Sequence, residues 1–299
     1  MLAISYNISP KLKENLYRIE NFRKKILLSS ISPKTELKLK WHATFNKIFS
    51  CIRLSGSKLQ ENDVIRILSR SKSKKMSQEE IEVLTYKNSL DQINQNWLGS
   101  DAPVTPKSVL SIYRKISNGQ LNKEKELDYL LNYLQARKEN PIIQGAIAYV
   151  ELMKMQPFTK NNSVISLLVS LLFLYKNGYD FKGFLAYEPL FMEKQISSLT
   201  LWLENISENL LRQIDLIDQY ISKPNIILQN VAKSFWELNE RQQSVLNFLD
   251  NPNVTITNRN IQKWHKVSQI TASRDLAKLT SLGFLFSHGK GRSVYYTKI

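Results

Sequence analysis

The chain has 299 residues, with 42 Lys and Arg against 26 Asp and Glu, and so a formal net charge of +16. That length allows about two domains with a substantial core, and the charge favours acidic partners, nucleic acid first among them, over a membrane. A single cysteine, Cys51, excludes an intramolecular disulfide and a cysteine-based metal cluster.

Residues 1–80 hold 17 Lys and Arg against seven acids, including Arg23-Lys24-Lys25 and the run Arg70-Ser71-Lys72-Ser73-Lys74-Lys75. The second run reads as a solvated loop between helices, with contact to a DNA backbone as the sharper alternative. From Ser77 to Glu237 the chain reads as helices divided by breakers at Pro103, Pro106, Gly119, Pro141, Pro157, Gly178 and Pro189. Helices are expected over Val109 to Ile116 and Leu127 to Ala136, and the stretch Ser117 to Glu126 between them is short. Val164 to Tyr175 is the longest apolar stretch; it is too short to span a bilayer and reads as a buried helix. Trp202, Ile206, Leu210, Leu211, Ile214 and Ile217 form a stripe at helical spacing, which predicts packing onto the core or onto a second subunit. No membrane segment and no signal peptide is expected, Met1 to Pro10 lacking a charged start and an apolar core, which suits a cytoplasmic protein.

The C-terminal segment from Leu238 carries its own pattern. Asn239-Glu240-Arg241-Gln242 has the spacing of a capping box ahead of the apolar stripe Val245, Leu246, Phe248 and Leu249. A short helix is expected after Thr257, carrying Ile261 and Trp264. The next is capped by Ser268 and ends at Gly283, with Ile270, Leu276 and Leu279 inward and Gln269, Thr271, Ser273, Arg274 and Lys278 outward. Phe284-Leu285-Phe286 and Val294-Tyr295-Tyr296 flank the turn His288-Gly289-Lys290-Gly291 and read as a hairpin with a basic tip. Three helices and a basic hairpin make a winged helix-turn-helix. Nine basic residues against three acids on this segment suit phosphate contact. The expected contacts are Ser268, Gln269, Thr271, Ser273, Arg274 and Lys278 on the helix, with Lys290 and Arg292 on the wing. The same architecture also serves as a dimerisation or docking module, in which Arg274-Asp275 reads as an internal ion pair.

Two stretches carry a family resemblance. Gln156-Pro157-Phe158-Thr159-Lys160-Asn161-Asn162-Ser163 resembles the Fic signature HPFxDGNGRxxR, flanked by the small-residue stretch Pro141 to Tyr149 and the apolar run from Leu167 to Gly178. The C-terminal segment resembles the winged helix appended to many bacterial Fic proteins, through its LNERQ start, TAxRDLxxL helix and GKGRxxxYY wing. The resemblance implies a mainly α fold: an N-terminal helical arm over 1–80, a Fic-like core over 81–200, linking helices over 201–237 and the winged helix over 238–299. Most members of the family transfer AMP from ATP to protein hydroxyl groups.

The catalytic letters of that signature are altered. Gln156 stands at the catalytic His, and an amide has no lone pair basic enough to take a proton near neutral pH. The only histidines are His42, His265 and His288. Lys160 stands at the acidic metal ligand, and an ammonium repels Mg²⁺, although it can sit on a phosphate as a point charge. Asn161 and Ser163 replace glycines of the phosphate loop, Asn162 is kept, and Val164 and Leu167 replace the two arginines. Lys160, Asn161, Asn162 and Ser163 are therefore the candidate nucleotide contacts, ATP the one cofactor left open, and no catalytic residue or metal ligand remains. A helix–loop–helix kept for packing is the alternative reading of the same loop.

Two further family elements are altered as well. In the stretch matching the inhibitory helix SSxIEG, Ser55 of Cys51 to Gly56 replaces the glutamate that would pair with an arginine at 167. The short stretch over 117–126 leaves little room for the family's target-holding flap. The expected function is a pseudoenzyme that binds DNA; the alternatives are a transferase of altered mechanism and a protein-interaction adaptor, including a homodimer.

Overall fold

The computed structural model describes residues 4–69, 76–136, 139–187, 198–222, 238–249, 251, 254–281, 284–289 and 291–298, without the side chains at 33, 34, 69, 281 and 292. Four of its helices open in the same way. In α1 (Pro10–Leu28), α2 (Pro33–Leu54), α5 (Pro106–Ile116) and α7 (Pro141–Met155), a Ser, Thr or Asn side chain caps the first turn and proline follows at once. The cap oxygen accepts an otherwise orphaned N–H, and proline has no N–H to waste there. Pro106 and Pro141 therefore start helices rather than break them.

Between these lie α3 (Glu61–Ser69), α4 (Gln78–Trp97), opened by a Ser77–Glu80 capping box, and α6 (Glu124–Ala136). The helices α8 (Asn162–Lys176) and α9 (Leu199–Ser222) follow. The centre of the molecule is the pair α7 and α8, each buried along most of its length because apolar residues surround its axis. Gly145 lets them approach: a Cβ there would lie 3.1 Å from the Ser170 carbonyl oxygen. The apolar run from Val164 to Tyr175 is thus a buried helix of a folded core. No described helix is long and apolar enough to cross a membrane.

The arm formed by α1 runs parallel to α9. The Asn7 N–H donates to Thr200 at 2.9 Å at one end, Lys11 pairs with Glu208 at 2.9 Å and Asn15 donates to Ser207 at 3.0 Å in between, and Lys25 pairs with Asp218 at 2.7 Å at the other end, so the two helices run in the same direction. The stripe from Trp202 to Ile217 is buried between this arm and the core. Trp202 stacks on Tyr149 with ring centroids 6.0 Å apart, and its indole N–H donates to the Ala146 carbonyl. The stripe is accounted for by this chain.

The C-terminal segment contains α10 (Glu240–Phe248), α11 (Asn258–His265), α12 (Gln269–Ser281) and an antiparallel hairpin of β1 (Leu285–His288) with β2 (Tyr295–Lys298). Ile256 adds a third edge, exchanging backbone hydrogen bonds with Tyr296 at 2.9 and 2.8 Å. Gly289 closes the turn at φ +81°, where a Cβ would lie 2.7 Å from the Ser293 carbonyl oxygen. The helix caps fall at Asn239, Thr257 and Ser268, and α12 also touches α3. Gly283, Lys290 and the basic run at 70–75 lie outside the described residues.

Candidate functional site

The loop between α7 and α8 is held from both sides. Gln156 ends α7 in the left-handed region at φ 46°, and its side chain is exposed. Asn161 opens α8 at φ 57°, a conformation that asparagine tolerates better than most residues. Asn162 closes the loop on itself: its amide oxygen accepts from the Phe158 N–H at 2.9 Å while its amide N–H donates to the Phe158 carbonyl at 2.6 Å. That side chain is committed to the loop's own backbone. Ser163 lies in the first turn of α8, half-buried, and Lys160 is exposed at the tip.

A second strand runs alongside. Leu121 and Phe158 form an antiparallel bridge, the Asn122 N–H donates to the Pro157 carbonyl at 2.8 Å, and the Thr159 N–H donates to the Gln120 carbonyl at 3.1 Å. The linker between α5 and α6 is thus not a hairpin but a short extended stretch laid on the loop. Lys123 anchors its end through a 2.7 Å hydrogen bond to the Met155 carbonyl. Phe158 is buried against Tyr113, with ring centroids 4.2 Å apart.

Gly119 is required in this stretch by space alone. A Cβ would lie 2.0 Å from the Tyr113 hydroxyl and 2.4 Å from the Thr159 hydroxyl. Tyr113 is fully buried and cannot swing away. Gly119→Ala is expected to destabilise the protein by about 2 kcal/mol through overpacking. Urea unfolding checks it, and an unchanged midpoint would mean that the stretch lifts off the loop freely.

Two further positions matched by the resemblance lie in the core. Val164 and Leu167 are fully buried, so the two positions where the resemblance places arginines hold packing residues. The hydroxyl of Ser55, the residue capping α2, lies 2.7 Å from the Ile52 carbonyl oxygen and 2.9 Å from the Glu82 carboxylate, which share its one proton. Cys51 is fully buried, and burial pushes its thiol up to about 12. His42 lies in α2, where burial holds its imidazole below the usual range, and His265 and His288 belong to the C-terminal segment. Among the described residues no group of three His, Cys, Asp or Glu is placed to hold a metal ion. A Mg²⁺-bound triphosphate does not fit this donor set: the loop offers an ammonium where the cation needs oxygen, and aliphatic groups where the phosphates need guanidinium. Beside the loop an open pocket of about 550 Å³ is lined by Lys123, Lys125, Glu126, Tyr129, Glu151, Lys154 and Met155, and by none of the candidate nucleotide contacts.

The C-terminal segment presents the other candidate surface. On α12 the buried side is Ala272, Asp275, Leu276 and Leu279. Ile270, expected inward, is 64% exposed, because at about 100° per residue it lies on the opposite side of the helix from Ala272. Asp275 does face inward, and its pair is not Arg274. Its carboxylate accepts from Arg241 at 2.9 Å, Gln242 at 2.7 Å and Asn239 at 3.3 Å, joining α12 to the start of α10. Arg241 therefore leaves the set of cations turned to solvent.

Of the expected nucleic-acid contacts, Gln269, Ser273 and Arg274 are exposed and Lys278 is half-buried. Ser268 caps α12 and shares a hydrogen bond with Thr271 at 3.0 Å. Ser273 accepts from Asn258 of α11 at 2.7 Å. The side chain of Arg292 and the whole of Lys290 lie outside the described residues. Arg259, Lys263 and Lys266, counted among the nine basic residues but not among the expected helix and wing contacts, are exposed on and just after α11. They are spread along the helix, Arg259 in its first turn, Lys263 in its last and Lys266 at its C-terminal cap.

The fold was compared with known proteins. A Fic family protein from Desulfovibrio desulfuricans G20 superposes with a TM-score of 0.57 at 13% identity, over 98% of this chain and 97% of that one. A Fic domain containing signaling protein from Bacteroides thetaiotaomicron VPI-5482 superposes with a TM-score of 0.53 at 14% identity, over 70% of this chain and 98% of that one. No family model and no curated protein matches the sequence. At such identities the likeness is one of architecture: the chain has the mainly α fold of Fic family proteins.

Proposed function

We propose that this chain is a Fic-fold protein without the adenylyl-transfer chemistry of its signature, and that it acts by binding duplex DNA through a winged helix-turn-helix made of α10, α11, α12 and the hairpin. The observation that carries this reading is the outward side of α12, where Gln269 and Arg274 are exposed beside the exposed cations of α11. In a helix-turn-helix the second helix enters the major groove while the first crosses the backbone. Arg259, Lys263 and Lys266 are suited to the phosphates, and the early residues of α12 to base edges.

The test is fluorescence anisotropy with labelled duplex over a range of salt concentrations. The logarithm of affinity is expected to fall linearly with the logarithm of salt, by roughly 0.9 for each phosphate neutralised. Lys263→Ala is expected to lower that slope by about one phosphate's worth. Absent or salt-independent binding would sink the reading and favour a protein-docking role for the same surface.

The loop then serves as scaffold. Calorimetric titration of ATP with Mg²⁺ is expected to give no heat at millimolar nucleotide, for the native chain and for Lys160→Ala alike. Binding that the substitution weakens would instead restore a nucleotide-sensing role and reopen a transferase of altered mechanism.

A further inference from the structure

Packing does not explain Ile270. It sits in the first turn of α12, 64% exposed, while Ala272, Leu276 and Leu279 of the same helix are fully buried. At about 100° per residue, Arg274 follows one turn later on the same stripe as Ile270. Ala277 comes next, exposed and too small to block the approach of a surface. The stripe therefore reads, in order along the helix, a branched aliphatic group, a guanidinium and a methyl. Arg274 is its formal charge, and Arg259, Lys263 and Lys266 stand exposed on the neighbouring helix.

Those groups match what a base-pair edge offers in the major groove. Thymine presents a C5-methyl group there, which aliphatic side chains contact, and guanine presents O6 and N7, which a guanidinium reaches in bidentate fashion. Four residues of helix advance about 6 Å, close to two base-pair steps of about 3.4 Å. We propose that α12 reads sequence, with Ile270 against the methyl group of a thymine and Arg274 on a guanine about two steps away. Ile270 is thus a specificity-determining residue, and its exposure is functional. The inference rests on the DNA-binding reading given above and goes beyond it, because phosphate contact alone would need no apolar group at this position.

The experiment selects binding sites for the full-length protein from a pool of random duplexes, then replaces each thymine of the selected site in turn by deoxyuridine, which lacks only the methyl group. One replacement is expected to weaken the native protein roughly fourfold, the worth of one methyl group returned to water. Ile270→Ala is expected to bind the thymine-containing site several-fold more weakly than the native chain and to be indifferent to that methyl group. Arg274→Ala is expected to lose at least about fivefold discrimination at a guanine roughly two steps away. Both side chains are exposed, so both variants are expected to fold. Salt-dependent binding with no enriched sequence, or with affinity unchanged by deoxyuridine at every thymine, overturns the inference and leaves the DNA-binding reading standing. Failure of every duplex in the pool to bind overturns both.

Discussion

Leu167→Arg, which introduces one letter of the signature that the loop resembles, is expected to destabilise the protein by at least about 3 kcal/mol rather than to create a nucleotide contact. Leu167 is fully buried in the second turn of α8, the helix that packs on α7, α4 and α2. A guanidinium introduced there must leave water, and the effective penalty for an unpaired buried ion is several kcal/mol. The control is Leu167→Met, which conserves volume and is expected to cost less than about 1.5 kcal/mol. Urea unfolding of both variants, followed by circular dichroism, gives the comparison. Undiminished stability in the arginine variant would mean that the start of α8 opens to solvent, and the case for a closed site would fail. The same reasoning applies to Val164, so both positions at which the resemblance places arginines are packing positions of the core. A Gln156→His substitution alone leaves that packing in place.

Asp275→Ala is expected to cost about 3 kcal/mol, concentrated in the C-terminal segment. Its buried carboxylate accepts hydrogen bonds from Arg241, Gln242 and Asn239, and removing it strands the buried Gln242 amide and a partly buried guanidinium. Arg241 is about one-third exposed, so water recovers part of the ionic contribution and holds the figure near the lower end of the range for buried pairs. Asp275→Asn, which keeps an acceptor for Gln242 but not the charge opposite Arg241, is expected to fall between the two. Hydrogen exchange is the measurement, because it resolves one segment from another. Protection should be lost in Glu240–Phe248 and Gln269–Ser281 and kept in Pro141–Met155 and Asn162–Lys176. Full protection in α10 and α12 of the alanine variant would show that apolar packing alone holds the segment together.

The sequence by itself determined the local structure. Ser9, Ser32, Thr105 and Asn140, each ahead of a proline, and the capping boxes at Asn239 and Thr257 are signals confined within one turn of helix. The stripe from Trp202 to Ile217 and the apolar run in α8 are equally short in range, so periodicity sufficed to find them. Gln156 and Lys160 by their identity alone offer neither a lone pair basic enough to take a proton near neutral pH nor an oxygen ligand for Mg²⁺.

Only the tertiary structure decided what those residues touch. The pairing of Gln120 with Thr159 joins positions 39 residues apart, and that of Asp275 with Arg241 spans 34, while the nearest charged neighbour in the chain suggested Arg274 instead. The side of α12 that turns inward was equally beyond the sequence. Ile270 looked like core and Asp275 like the partner of Arg274, yet the helix turns the aspartate toward three donors at the start of α10 and leaves the isoleucine in solvent. A capping bond is made within three residues and is written in the local sequence, whereas burial depends on which helix arrives opposite, and that is fixed only when the whole chain has packed.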